Sequence, residues 1–146
     1  MATIMRKMNI ISRCEAIYRE KNSSDALPGI YHSYILAICQ NPGWSQEKLS
    51  KHLCINKSSV TRHLAYLEKN GYIKREPCQA DKREHLVFPT TKMLSAKDEV
   101  VEITKRWNRL IAEEISKEDL EKFHDILDKM LNKSIQAVYN AGGEEA

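Results

Sequence analysis

A mainly α fold carrying a small β-hairpin wing, a winged helix-turn-helix, is predicted by three features of this 146-residue sequence. Between Ser45 and Asn70 two short amphipathic segments are separated only by "CIN", the spacing of two helices joined by a tight turn. Beyond them "YIKRE" and "HLVFP" alternate around the turn-forming "PCQADKRE", as the strands of a hairpin do. Apolar stripes at helical spacing flank this unit on both sides.

Taken in order, Met8, Ile11, Cys14 or Glu15, and Tyr18 fall at helical spacing from about Ile4 to Lys21, and "KNSSDALPG" ends the pattern. "IYHSYILAICQNPG" then places Ile30, Tyr34, Ile35, Ile38 and Cys39 on one stripe, closed by the "NPG" turn. Ser45 is placed to cap "QEKLSKHL", with Glu47 in the first turn and Leu49 and Leu53 inward. Asn56 caps the next helix, "KSSVTRHLAYLEKN", and Gly71 stops it where a left-handed backbone is needed. Val60, Leu64 and Leu67 recur at i, i+4 and i+7, so they face the core and leave Ser58, Ser59, Thr61, Arg62 and Tyr66 outward.

Two long helices complete the chain. One runs through "SAKDEVVEITKRWNRLIAEE" with Val100, Ile103, Trp107, Leu110 and Ile111 in a stripe. The other runs from Leu120 to Tyr139, its stripe made of Leu120, Phe123, Leu127, Met130, Leu131 and Val138, with Ser116 and Asp119 as a capping box between the two. The tail "NAGGEEA" is expected to fray.

Composition bounds the function. With 42% apolar and 29% charged residues the chain reads as one ordinary globular unit. It shows no uninterrupted apolar run of signal or membrane-spanning length, so a cytoplasmic protein without a membrane partner is expected. Cys14, Cys39, Cys54 and Cys78 are widely spaced, the pattern of reduced thiols. His32, His52, His63, His85 and His124 form no ligand spacing with one another or with Cys, and no cofactor is expected. There is no nucleophile with a neighbouring base, no phosphate-cradling glycine loop and no paired carboxylates, so an enzyme is not expected.

Charge is unevenly spread. Met1–Trp44 holds 5 Lys/Arg against 3 Asp/Glu, Ser45–Lys92 holds 10 against 5, and the remainder holds 8 against 12. A basic middle before an acidic end suits an anion-binding unit joined to a solvated helical part. A major groove admits one α-helix and offers base edges that small polar side chains and arginine can match, the chemistry of the face from Ser58 to Tyr66. The helix starts at Ser45 and at Lys57 and Ser58 are placed to hold phosphate through free N–H groups.

In the wing, Lys74, Arg75, Lys82, Arg83 and His85 add cations. Arg83 is expected to enter a minor groove with Asp81 orienting its guanidinium, while Lys74 and Lys82 sit on phosphates. Tyr66 either packs beside the wing or touches the DNA backbone. The bland alternative is that Arg62 and Arg83 are solvated charges and Ser58, Ser59 and Thr61 are capping or surface residues. A winged helix used as a protein-interaction module is the competing function, but it would present an apolar outward face.

The stretch from Trp44 to about Lys92 resembles the winged helix of the MarR family of bacterial transcription regulators, through "SQEKLSKHL", "INKSSVTRHLAYLEKNGYIKR" and the "DKR" of the wing. The resemblance implies a homodimer on double-stranded DNA at a pseudo-palindromic operator, most often a repressor released by a small-molecule effector or an oxidant. It also implies that residues 1–40 and 92–146 form a helical dimerisation region and 41–91 the DNA-binding region. Trp107, Tyr34 and His32 would line the effector crevice, or else serve as core and rim. Cys14 with Tyr18 is similar to the first-helix thiol held by tyrosines in peroxide-sensing relatives, which makes a thiol-based redox-sensing regulator a second alternative. The junction "FPTTKML" departs from the family's Leu-Thr pair and later glycine, and Pro89 lacks a strand N–H, so the start of the fifth helix is left open.

Overall fold

Side-chain oxygens set where four helices begin. Thr3 accepts from the Arg6 N–H, Ser45 from Lys48, Asn56 from Ser59 and Ser116 from Asp119, at 3.1, 3.2, 2.8 and 3.1 Å. These bonds satisfy first-turn amides that have no helical acceptor. In the computed structural model, which describes residues 2–24 and 27–140, they open α1 (Ile4–Asn22), α3 (Gln46–Leu53), α4 (Lys57–Lys69) and α6 (Lys117–Ile135). Between them lie α2 (His32–Gln40), the strands β1 (Trp44–Ser45), β2 (Ile73–Pro77) and β3 (His85–Pro89), and α5 (Thr91–Ile111).

The chain divides into two compact units, Met1–Trp107 and Asn108–Ala146. The first owes its core to the stripes read from the sequence. Tyr34, Ile35 and Ile38 of α2, Leu49 of α3, Val60, Leu64 and Leu67 of α4, Tyr72 and Ile73, Val87 of β3, and Met93 and Val100 of α5 are buried together. Leu64 and Leu67 are inaccessible to solvent, so truncating either to alanine removes about 2–5 kcal/mol of stability. In the second unit α6 buries no residue, and a π-helical turn, Gln136–Asn140, follows it. The expected fraying of the last residues lies outside the described residues.

Two turns place α4. Cys54 takes a left-handed backbone at φ 53° between α3 and α4, and the buried Ser50 hydroxyl donates to the Ile55 carbonyl at 2.6 Å, which fixes the three-residue turn. After α4 the chain reverses at Gly71, φ 79°, a conformation without cost only for glycine. β2 and β3 then pair antiparallel from Ile73↔Pro89 to Pro77↔His85.

Two expectations need correction, and one that was left open is filled in. The sheet has a third member: β1 pairs with the free side of β3 through Trp44↔Val87 and Ser45↔Leu86, in the order β1-β3-β2, and two residues are too few for alternation to show. Ile30 leaves the second stripe because it sits exposed in a 3-10 turn, Gly29–Tyr31, ahead of α2. The fifth helix, whose start the sequence left open, begins at Thr91, four residues before "SAKDEV". Its start is fixed by Thr90, whose hydroxyl lies 2.6 Å from the Gly71 carbonyl and 2.9 Å from that of Tyr72 while its oxygen faces the Met93 N–H at 3.5 Å. Among the described residues no helix is long and apolar enough to cross a membrane.

Candidate nucleic-acid interface

Because Val60, Leu64 and Leu67 anchor one side of α4, the opposite side carries Lys57, Ser58, Thr61 and Arg62 into solvent. Arg62 donates to the Ser59 hydroxyl at 3.1 Å, which extends its guanidinium along the helix surface. Ser58 donates to the Asn56 side chain at 2.8 Å, so both early serines help order the helix start. The Thr61 hydroxyl donates to the Lys57 carbonyl at 2.9 Å. Lys57 is well exposed, its ammonium 3.9 Å from Glu47.

The wing tip closes over the same region. Lys57, Val60 and Thr61 of α4, Gln46 and Glu47 of α3, and Arg83, Glu84 and His85 of the wing line one cleft of about 270 Å³. The start of α4 and the arginine of the wing therefore open to one side. Lys74, Lys82 and Arg83 are exposed.

The structure changes the expected part of three residues. Asp81 does not orient the Arg83 guanidinium: its carboxylate accepts the Arg83 backbone N–H at 3.0 Å, so it shapes the turn and leaves the side chain to solvent. Ser45 is buried with its oxygen spent on the Lys48 N–H, which makes it an internal cap rather than a surface anchor. Tyr66 stays 37% exposed and has a ring partner outside the wing. Its ring stacks on Tyr31 of the 3-10 turn with centroids 4.6 Å apart and planes 3° from parallel.

Two residues escaped the sequence reading. His63 Nδ1 shares a 2.7 Å hydrogen bond with the Tyr34 hydroxyl, joining α4 to α2, with Tyr31 edge-on to its ring. Burial, then Tyr31, pushes the Tyr34 phenol up to about 12, so it keeps its proton at neutral pH. Burial, then the Arg62 charge, lowers the His63 pKa. Arg75, read as one more wing cation, turns inward and forks onto Glu68 with two 3.1 Å bonds. The signal was present in the alternation of the strand, which puts Arg75 on the face of the buried Ile73 and opposite that of Lys74.

The sequence profile of the MarR family matches residues 32–85, the span of α2, α3, α4 and most of the wing. Residues 32–85 form a MarR domain. A chain similar to this one is the uncharacterised HTH-type transcriptional regulator YybA of Bacillus subtilis (strain 168), 32% identical over 94 residues, 63% of this chain. The match spans 62% of that relative's length. Among solved structures, the transcriptional regulator SlyA superposes with a TM-score of 0.87 at 21% identity, over 93% of this chain and 96% of that one. A MarR-family regulator from Listeria monocytogenes, solved in complex with a 26mer DNA, gives 0.85 at 26% identity over 100% and 99%.

The residues expected to meet an effector are split. The Tyr18 ring lies 5.2 Å from that of Trp107, joining α1 to α5. His32 is buried at the head of α2, with its pKa lowered by burial and then by Arg19. Among the described residues neither His32 Nδ1 nor Arg19 Nε, both buried, has a hydrogen-bond partner. Tyr34 instead turns to His63. Cys14 is exposed on α1, and the ring of Tyr18, its expected partner, packs on Trp107. No group of three or more His, Cys, Asp or Glu suited to a metal is present among the described residues.

Proposed function

We propose that this chain is a homodimeric, sequence-specific DNA-binding transcription regulator in which α4 lies in a major groove and the wing reaches the neighbouring minor groove. One observation carries the reading: Lys57 and Thr61 of α4 and Arg83 of the wing line one open cleft, so helix and wing address the same duplex. Ser58, Ser59, Thr61 and Arg62 face base edges, Lys57, Lys74 and Lys82 meet phosphates, and Arg83 enters the minor groove. Ser45 and Asp81 support this face by capping and turning the backbone.

The dimer is argued from apolar side chains that a single chain leaves in water: Ile4, Met5, Ile11 and Ile17 on α1, and Phe123, Ile126, Leu131 and Val138 in the second unit. Two such chains would meet the half-sites of a pseudo-palindromic operator as a repressor. Release by a small molecule is supported by His32 and Arg19, whose buried, unpartnered nitrogens suit an effector bearing hydrogen-bonding groups. The exposed Cys14 lacks the tyrosine cage that a redox reading needs, and the polar outward face of α4 argues against a protein-interaction module.

The test is a mobility-shift titration on genomic fragments over a salt series, with Arg83→Ala alongside. Binding that weakens steeply with salt is expected, and Arg83→Ala should lose about 1–3 kcal/mol of specific binding with its melting temperature unchanged. Salt-insensitive or absent binding would favour the interaction module, and an Arg83→Ala protein that binds like the native one removes the wing from the interface.

A further inference from the structure

We propose that Arg75 is a positioning residue for duplex binding, which clamps the wing to α4 and hands its geometry through Gln46 to Thr61 on the groove-facing side. This rests on the reading of the α4 and wing face as the DNA interface.

The clamp begins as a bidentate pair. Arg75 Nε reaches Glu68 Oε2 and Nη2 reaches Glu68 Oε1, both at 3.1 Å, which joins β2 to the last turns of α4. Its third nitrogen, Nη1, donates to Gln46 Oε1 at 3.3 Å. Gln46 Nε2 donates to Thr61 Oγ1 at 3.0 Å, and Thr61 Oγ1 donates to the Lys57 carbonyl at 2.9 Å. The relay therefore runs from the wing to α3 and back to the start of α4.

Only one orientation satisfies all its members. A guanidinium has donors alone, so the Gln46 amide must turn its oxygen to Arg75 and its NH2 group to Thr61. Thr61 must then accept from Gln46 and give its own proton to the helix carbonyl. Hydrogen donation from Thr61 to a base is closed by this arrangement, and what it offers the groove is its methyl group and a lone pair. The Glu68 carboxyl sits below its ordinary pKa, first because of the Arg75 hydrogen bond, so the pair stays charged at neutral pH. Arg75 is only 23% exposed and its charge is met within the protein, unlike that of Arg83. A fork of this kind fixes an angle as well as a distance, and lysine cannot reproduce it.

The two roles open to Arg75 predict opposite signs. If Arg75 touched phosphate, Glu68→Gln would remove a negative charge from the DNA side and strengthen binding. If Arg75 positions the wing, the same change weakens binding although it makes the protein more basic. The probe is the set of duplexes that the native protein selects from a randomised library. Against them Glu68→Gln and Arg75→Lys should each bind about tenfold more weakly, within the range for coupled polar networks. Arg75→Lys combined with Gln46→Ala should cost less than the two single losses multiplied.

In the free protein, backbone amides of β2 and β3 should exchange faster in Glu68→Gln than in the native chain, a reading independent of DNA. Unchanged exchange, or Glu68→Gln binding as tightly as the native protein or more so, overturns the proposal. If the native protein selects no duplex, the DNA reading of the face fails, and the exchange measurement alone decides the clamp.

Discussion

Arg83 and Arg75 are eight positions apart in one hairpin, carry the same charge, and have opposite destinies. The first has its backbone held by Asp81 and its guanidinium in solvent; the second is turned inward by strand alternation onto Glu68. A count of cations treats them alike, so the basic character of the face was legible in the sequence while the division of labour was not. It depends on which side of β2 each residue occupies and on a carboxylate supplied by another element. The histidines make a comparable distinction testable. His32 and His63 both have pKa values lowered from 6.5, first by burial, so the folded state favours their neutral forms. An unfolded chain binds more protons in that window, and the stability they contribute is complete above the unfolded value and lost as pH falls through the lowered folded values. The urea midpoint should therefore drop between about pH 7 and pH 5, and His63→Gln should flatten part of that drop. A native midpoint that does not move over this range would show that neither ring is held neutral.

At the scale of elements, what could be read locally was read well. Ser45, Asn56 and Ser116 cap the helices they were expected to cap, because a cap is a contact over three residues. Contacts over longer distances were not legible: β1 exists only because β3 offers a free edge, and α5 begins at Thr91 because Thr90 bonds to the corner after α4. Tyr66 belongs here too. Its period-3.6 position faces out, yet the 3-10 turn before α2 brings Tyr31 over it as a stacked partner. Tyr66→Phe keeps that stack and should match the native protein in melting temperature and DNA affinity, whereas Tyr66→Ala should cost about 1–3 kcal/mol of stability. Loss of DNA affinity in the phenylalanine variant would instead show that the hydroxyl touches the duplex.

For the molecule as a whole, the exposed apolar faces are the ground of the proposed dimer. Stripes on the first and last helices were plain in the sequence, and the structure adds Ile17 of α1 and Ile126 of α6, which lay outside those stripes and are 53% exposed each. Periodicity can show that a face is apolar but cannot say which chain covers it, and this is why helical stripes alone did not distinguish a core from a subunit contact. Ile126→Glu, and separately Ile17→Glu, should shift the sedimenting species from dimer to monomer with helical content retained. A native protein that sediments as a monomer at micromolar concentration would remove the dimer from the proposal.

Met93 and Val100, in the first half of α5, share one close-packed interior with Leu64 and Leu67 of α4. An interior of that density has almost no compliance. The first half of α5 and α4 are thus geared together: a tilt imposed on the one cannot be absorbed by slack and must emerge as a changed pitch of the other.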